Sequence, residues 1–131
     1  MTFTRKLELG GGLATVVLAI VVTLHLLREM QEIALRLKDE SRSLQAFLMG
    51  FFLYILPAVL IALGAYAHAV KQKSWGFAAV MVGSFITVII LLLLFLALGP
   101  YAGNLWFLLN SLLTIAALIT MSASVAVQAQ K

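Results

Sequence analysis

The chain has 131 residues, 63% of them hydrophobic and 11% charged, with nine Lys and Arg against five Asp and Glu for a formal net charge of +4. Soluble domains carry roughly 25% charged residues, so a deficit of this size excludes a fold covered by water on all sides. Cys is absent, which excludes disulfides, thiolate metal sites and iron–sulfur clusters within the chain.

The charges are also segregated, since residues 74–130 contain no Asp, Glu, Lys or Arg. A soluble fold could not cover itself with that stretch and stay dispersed. The basic excess flanks apolar runs, which is the pattern of membrane edges and not of a nucleic-acid surface. The fold class read from this is an all-α integral membrane protein. It is one domain over 1–131, a four-transmembrane-helix bundle with spans at 13–27, 44–70, 76–98 and 105–127 and a charged helical extension at 28–43.

At the N-terminus Arg5 and Lys6 precede an apolar run, as in a signal peptide. Leu26, Leu27, Arg28 and Glu29 follow where small cleavage-site residues would stand, so the run reads as an uncleaved first span. Gly10, Gly11 and Gly12 lack the lysine that ends a phosphate-binding loop and read as a flexible entry to the membrane. Span 1 is then short for a hydrocarbon core of about 30 Å. Thr15 and Thr23 are expected to bond back to their own helix carbonyls.

In the extension, Arg28, Glu32, Arg36 and Glu40 stand four apart with alternating sign, each pair contributing about 0.2–0.5 kcal/mol in an isolated helix. Leu27, Met30, Ala34, Leu37, Ser41 and Leu44 form a narrow apolar seam at three- and four-residue steps. Asp39, Ser41 and Ser43 predict a turn, with the start of span 2 packing back on Met30, Ile33 and Leu37. The alternating charges at Arg28, Glu32, Arg36 and Glu40 also suit a protein partner, supplying orientation more than affinity.

Span 2 carries Pro57, which removes a hydrogen bond and predicts a kink that frees a carbonyl near Leu53 or Tyr54. Gly50, Pro57 and Gly64 stand seven apart with Ala58, Ala62 and Ala65 nearby; small faces let backbones approach in lipid, so this helix is expected at the centre. Ser74 and Asn104 are helix-start residues, and Trp75, Tyr101 and Trp106 suit a headgroup boundary. Span 3 has a small stripe of Gly76, Ala79, Gly83 and Thr87, then large apolar residues from 89 to 98. Span 4 aligns Asn110, Thr114, Ala117, Met121 and Ser124 on one face, which predicts interhelical packing ahead of a polar path.

Tests for chemistry return little. His25 and His68 each lie near the C-terminal end of an antiparallel span, so they are expected at opposite membrane faces and cannot share a haem iron. With no Asp, Glu, Lys or Arg near the middle of any span, ion-coupled transport lacks its usual residue. No nucleophile–base pair stands out, so no enzyme activity, cofactor or metal is expected. The leading expectation is an accessory or structural subunit of a larger membrane assembly, with the lipid bilayer and other membrane subunits or its own copies as partners. The alternative is a homo-oligomeric transporter or channel without intramembrane charges, lined by Tyr54, Pro57, Asn110 and Thr114. A holin-type permeabilising protein stands third.

Orientation rests on Lys and Arg. Arg5, Lys6, Lys71, Lys73 and Lys131 fall on one side and Arg28, Arg36, Lys38 and Arg42 on the other. The 71–73 connection is short and wholly basic, whereas the extension also carries four acids, so both termini are expected to be cytoplasmic. A membrane-impermeant thiol reagent should therefore label Ser41→Cys and spare Ser74→Cys in intact cells; the opposite pattern reverses the orientation.

Overall fold

The computed structural model describes residues 2–37, 48, 50–98 and 104–129. Four helices carry them: α1 (Phe3–Leu37), α2 (Phe51–Ala69), α3 (Ser74–Leu98) and α4 (Asn104–Ala129). Each contains a stretch long and apolar enough to cross a membrane, in α1 the segment Phe3–Arg28. Spans 2, 3 and 4 overlap the segments expected from the sequence, and α3 and α4 begin at Ser74 and Asn104, the residues read as helix starts.

Span 1 is where expectation and structure part. The helix begins at Phe3 and not at residue 13, and Gly10, Gly11 and Gly12 lie inside it. Gly11 and Gly12 are packing positions, and none of the three is a flexible entry. A glycine in a helix interior costs about 1 kcal/mol relative to alanine, but a side chain here would cost more. A Cβ on Gly11 would run into Thr120 of α4, and one on Gly12 would stand 3.1 Å from Ala65 Cβ and 3.2 Å from Ala62 Cα in α2. The triplet thus brings α1 close to two helices at once.

The helices follow one another around a ring. α1 packs on α2 and α4, α3 packs on the same two, and α2 also touches α4 across the diagonal. Among the described residues α1 and α3 do not meet. The expected central position of span 2 is shared with α4, since both touch all three other helices. The core joins Ala19 and Val22 of α1, Tyr54 and Ala58 of α2, Leu91 of α3, and Leu109 and Leu113 of α4. Outer faces are apolar, with Val17, Leu24, Leu63, Phe85, Leu93 and Ile115 all exposed.

The α2–α3 seam is the tightest. A Cβ on Gly64 would lie 2.8 Å from both the Gly76 carbonyl oxygen and the Val80 nitrogen. One on Gly76 would lie 2.5 Å from the Gly64 carbonyl oxygen and 2.6 Å from the His68 nitrogen. These neighbours are backbone and cannot swing aside. The small stripe read on span 3 is this seam, with Gly83 set against Ile61 and the Pro57 carbonyl.

Pro57 acts one turn earlier than a simple kink would. Residues Phe51–Ile55 form a wide π-helical turn in which the Leu56 N–H bonds the Phe51 carbonyl. A proline ring crowds the carbonyl four residues back, here Leu53, and widening the turn before it makes room. After α2 the chain reverses through Gln72, held at φ 55°. The Lys73 N–H donates to the Ala67 carbonyl at 2.9 Å and the Gly76 N–H to the Lys73 carbonyl at 3.1 Å, which satisfies groups that a helix end leaves open.

Beyond its apolar stretch α1 continues as one helix to Leu37. Its 35 residues span about 52 Å at 1.5 Å per residue, well past a hydrocarbon core of about 30 Å. Glu40, the turn expected at 39–43 and the first residues of span 2 lie outside the described residues.

Gly76→Val should destabilise the bundle by about 1–3 kcal/mol or more, because the added side chain meets backbone. Gly10, whose Cβ would meet nothing within 4 Å, is the control: Gly10→Ala should gain roughly 0.5–1 kcal/mol from helix propensity. Reversible unfolding in mixed micelles reads both.

Candidate functional site

The early start of α1 places an acid inside the bundle. Glu8 lies on the same helical stripe as Thr15, Ala19 and Val22, all buried, and its own side chain is 0% exposed. On α2, Ile61, Ala65 and His68 share the buried face, so the histidine at the helix end points inward. On α4, Thr120, Ser124 and Val127 are buried and Gln128 stands one turn beyond Ser124 at the exposed rim. The N-terminal end of α1 and the C-terminal ends of α2 and α4 thereby converge.

His68 is the hub. Its Nδ1 stands 2.9 Å from Glu8 Oε1 and 3.0 Å from Oε2. Its Nε2 stands 2.9 Å from Gln128 Oε1, and Ser124 Oγ lies 3.3 Å from Nδ1. Phe77 of α3 closes the remaining side, with ring centroids 5.7 Å apart. A charge buried among apolar helices is tolerated only when paired and hydrogen-bonded, and this cluster supplies both conditions. Outside it, Arg5, Lys6, Lys71 and Lys73 gather at the same end of the bundle.

The residue types resemble a Ser–His–acid relay, but the geometry does not. Such a relay places nucleophile and acid on opposite ring nitrogens. Here Ser124 and Glu8 both address Nδ1, and Nε2 is taken by Gln128. Among the described residues no group of three or more His, Asp or Glu is arranged to hold a metal ion. The arrangement is suited to joining helices and to holding a proton.

The residues singled out from the sequence are distributed differently. Tyr54 and Asn110 come together in the core: the Tyr54 phenol meets the Trp106 and Asn110 side chains, and Asn110 Nδ2 donates to the Trp106 carbonyl at 2.8 Å. Asn110 Oδ1 and Thr87 Oγ1 are buried without a hydrogen-bond partner among the described residues. Thr114 is half-buried and donates to the Asn110 carbonyl at 2.9 Å. Pro57 is buried at the α3 seam. Arg28 is exposed on α1. The helix runs through Glu32 and Arg36, whose side chains lie outside the described residues, as does Glu40.

The polar stripe of span 4 was expected to bond across helices. Thr114 and Thr120 bond their own helix, the latter to the Ala116 carbonyl at 2.7 Å. Ser124 reaches His68 on α2, and Ser84 of α3 reaches the Ala117 carbonyl at 3.5 Å. Thr15 and Thr23 bond back to Gly11 and Ala19 at 2.7 and 2.8 Å, as expected. His25 is half-exposed on α1. It lies about 26 Å along that helix from the level of Glu8 and His68 at 1.5 Å per residue, so the two histidines stand apart as the topology implies.

Sequence reasoning missed Glu8; it set His68 near one end of its span, where it lies, but did not foresee its full burial or its partner. The signal was present. Glu8, Thr15 and Val22 are seven apart, and a first helix begun at Phe3 puts Glu8 at the level of His68 in an alternating bundle. No family model, curated protein or solved structure matches the chain, so the cluster is interpreted from its own atoms.

Glu8→Met alone strands His68 and should cost about 3–5 kcal/mol of stability, whereas the double variant Glu8→Met/His68→Leu should recover most of that loss. A double-variant cycle of unfolding free energies in mixed micelles measures the difference.

Proposed function

We propose that this chain is a multi-pass integral membrane protein that serves as a non-catalytic subunit of a larger membrane assembly, with the basic end of its bundle toward the cytoplasm. The observation that carries this reading is an open groove of about 400 Å³ along the outer face between α1 and α4, lined by Leu7, Ile115, Ile119 and Ala126. It continues along the helices over Gly10 and Ala14. Gly10 meets nothing inside the bundle, so its helix-propensity cost of about 1 kcal/mol has no return there. Small residues on an outward apolar face are what a second transmembrane helix packs against. Arg5, Lys6, Lys71 and Lys73 at one end agree with the tendency of basic residues to remain cytoplasmic.

A second reading is favoured by the Glu8–His68 pair. The alternative from the sequence is a homo-oligomeric transporter or channel without intramembrane charges, with ion coupling set aside for want of an ionisable residue near the middle of a span. Glu8 inside α1 and His68 supply a buried ionisable pair near one end of the bundle, and intramembrane acids and histidines mark proton relays. Under this reading Tyr54, Asn110 and Thr114 line the path.

Purification from native membranes in mild detergent should return the chain with a constant set of other membrane proteins, and Gly10→Leu should lose them while circular dichroism stays unchanged. A stable monomer with no co-purifying chain removes the subunit reading. Proton-driven solute flux by the pure protein in liposomes establishes the second.

A further inference from the structure

We propose that Glu8, His68 and Gln128 form a reversible proton-binding site that loads and unloads from the basic end of the bundle. The site goes beyond the subunit reading and does not depend on it.

The proton count follows from the contacts. An amide oxygen only accepts, so in the arrangement with Gln128 Oε1 at 2.9 Å from Nε2 the loaded ring is the one with a proton on that nitrogen. A second proton occupies the line between Nδ1 and the Glu8 carboxyl, at 2.9–3.0 Å. Whether it sits on the ring or on the acid, the loaded pair holds two protons between its members. Loss of one leaves the other on Nδ1 facing the carboxylate and turns Nε2 into an acceptor.

Gln128 meets both states. Its amide presents an oxygen to a protonated Nε2, and turned through half a circle it presents an N–H to a bare one. A lysine or arginine there would serve only the unloaded ring, and a carboxylate only the loaded one. Neither state therefore leaves an orphaned polar atom at Nε2, which would otherwise make the change costly. Gln128 is also the exposed member, while Glu8 and His68 are fully buried. The proton accordingly enters and leaves past Gln128.

The electrostatic surroundings permit the change. Facing the ring, α1 brings Glu8, α3 brings Phe77, and α4 brings Ser124 and Gln128. Neither α3 nor α4 contains an Asp, Glu, Lys, Arg or His, since 74–130 lacks all five. The unloaded pair has a net negative charge, and Arg5, Lys6, Lys71 and Lys73 at the same end lower its cost. A proton gained or lost here acts at the junction of α1, α2 and α4.

The test uses the full chain in lipid bilayers with His25→Gln, so that every imidazole signal belongs to His68. Solid-state ¹⁵N spectra over roughly pH 5 to 9 should show Nε2 protonated at the acidic end and bare at the alkaline end, reversibly. The Gln128 side-chain amide signal should move in the same step. Glu8→Gln should abolish the step, leaving one ring nitrogen bare throughout. Should Glu8→Gln fail to fold, Gln128→Leu at the exposed rim decides, and it should displace the step by at least about one pH unit. Nε2 in a single state across the range, or a step unchanged in whichever variant folds, overturns the proposal and leaves a fixed structural clamp.

Discussion

The carboxyl group of Glu8 constrains this bundle more than any other group. An ionisable side chain with no exposed surface needs hydrogen-bond donors at fixed places, and apolar helices offer few. His68 Nδ1 is the partner at 2.9 Å, and it comes from the far end of the next helix to cross the bundle. The pair therefore sets which ends of α1 and α2 lie side by side, and Gln128 and Ser124 extend the same requirement to α4. Dispersion contacts among leucines would tolerate sliding or rotation of these helices by a residue. A bond of 2.9 Å between named atoms does not.

Close approach makes that bond reachable. His68 sits where α2 and α3 meet through Gly64 and Gly76, with backbone of one helix in van der Waals contact with backbone of the other. On its other side Gly11 and Gly12 draw α1 toward α4 and α2. Small residues and the buried polar cluster are two halves of one arrangement. The glycines allow the helices to come within hydrogen-bonding range of a short side-chain pair, and the pair fixes the register that puts the glycines opposite each other. Helix association in an apolar solvent depends on such packing together with polar contacts.

Much of the architecture was legible in the sequence because the hydropathy signal is strong. Three helices of nearly unbroken apolar residues leave little choice of segment, and Ser74 and Asn104, residue types favoured at helix starts, stand at two of the starts. The small stripe on span 3 and the back-bonding of Thr15 and Thr23 follow from local rules and are present. The site was hidden by one decision at Gly10, Gly11 and Gly12. Glycine triplets break helices in water, where the exposed backbone has other partners. Between packed apolar helices the backbone has only its own helix to bond, and the missing side chains become an advantage. Once the first helix was begun after the triplet, Glu8 fell outside it and His68 lost its counterpart. The distortion before Pro57 was legible as a kink but not as a widened turn, and the left-handed Gln72 was illegible because the helices it joins, and not the residue alone, set its conformation.

The polar residues of α4 divide along its length, and the division shows which contacts hold the helix in place. Thr114 and Thr120 satisfy themselves on the preceding turn, so they tolerate rotation of α4 and confer no register. Asn110 also bonds its own helix, at the Trp106 carbonyl, and leaves Oδ1 turned into the core beside Tyr54. Ser124 and Gln128 look outward from α4 to a ring on another helix. The half of α4 near Asn110 is thus held by shape, through Leu109, Leu113 and the aromatic contacts of Phe95 with Trp106 and Phe107. The half near Gln128 is held by directed bonds to a titratable group. A displacement of the His68 ring would act on the second half directly, and would reach the first only through the rigidity of the helix between them.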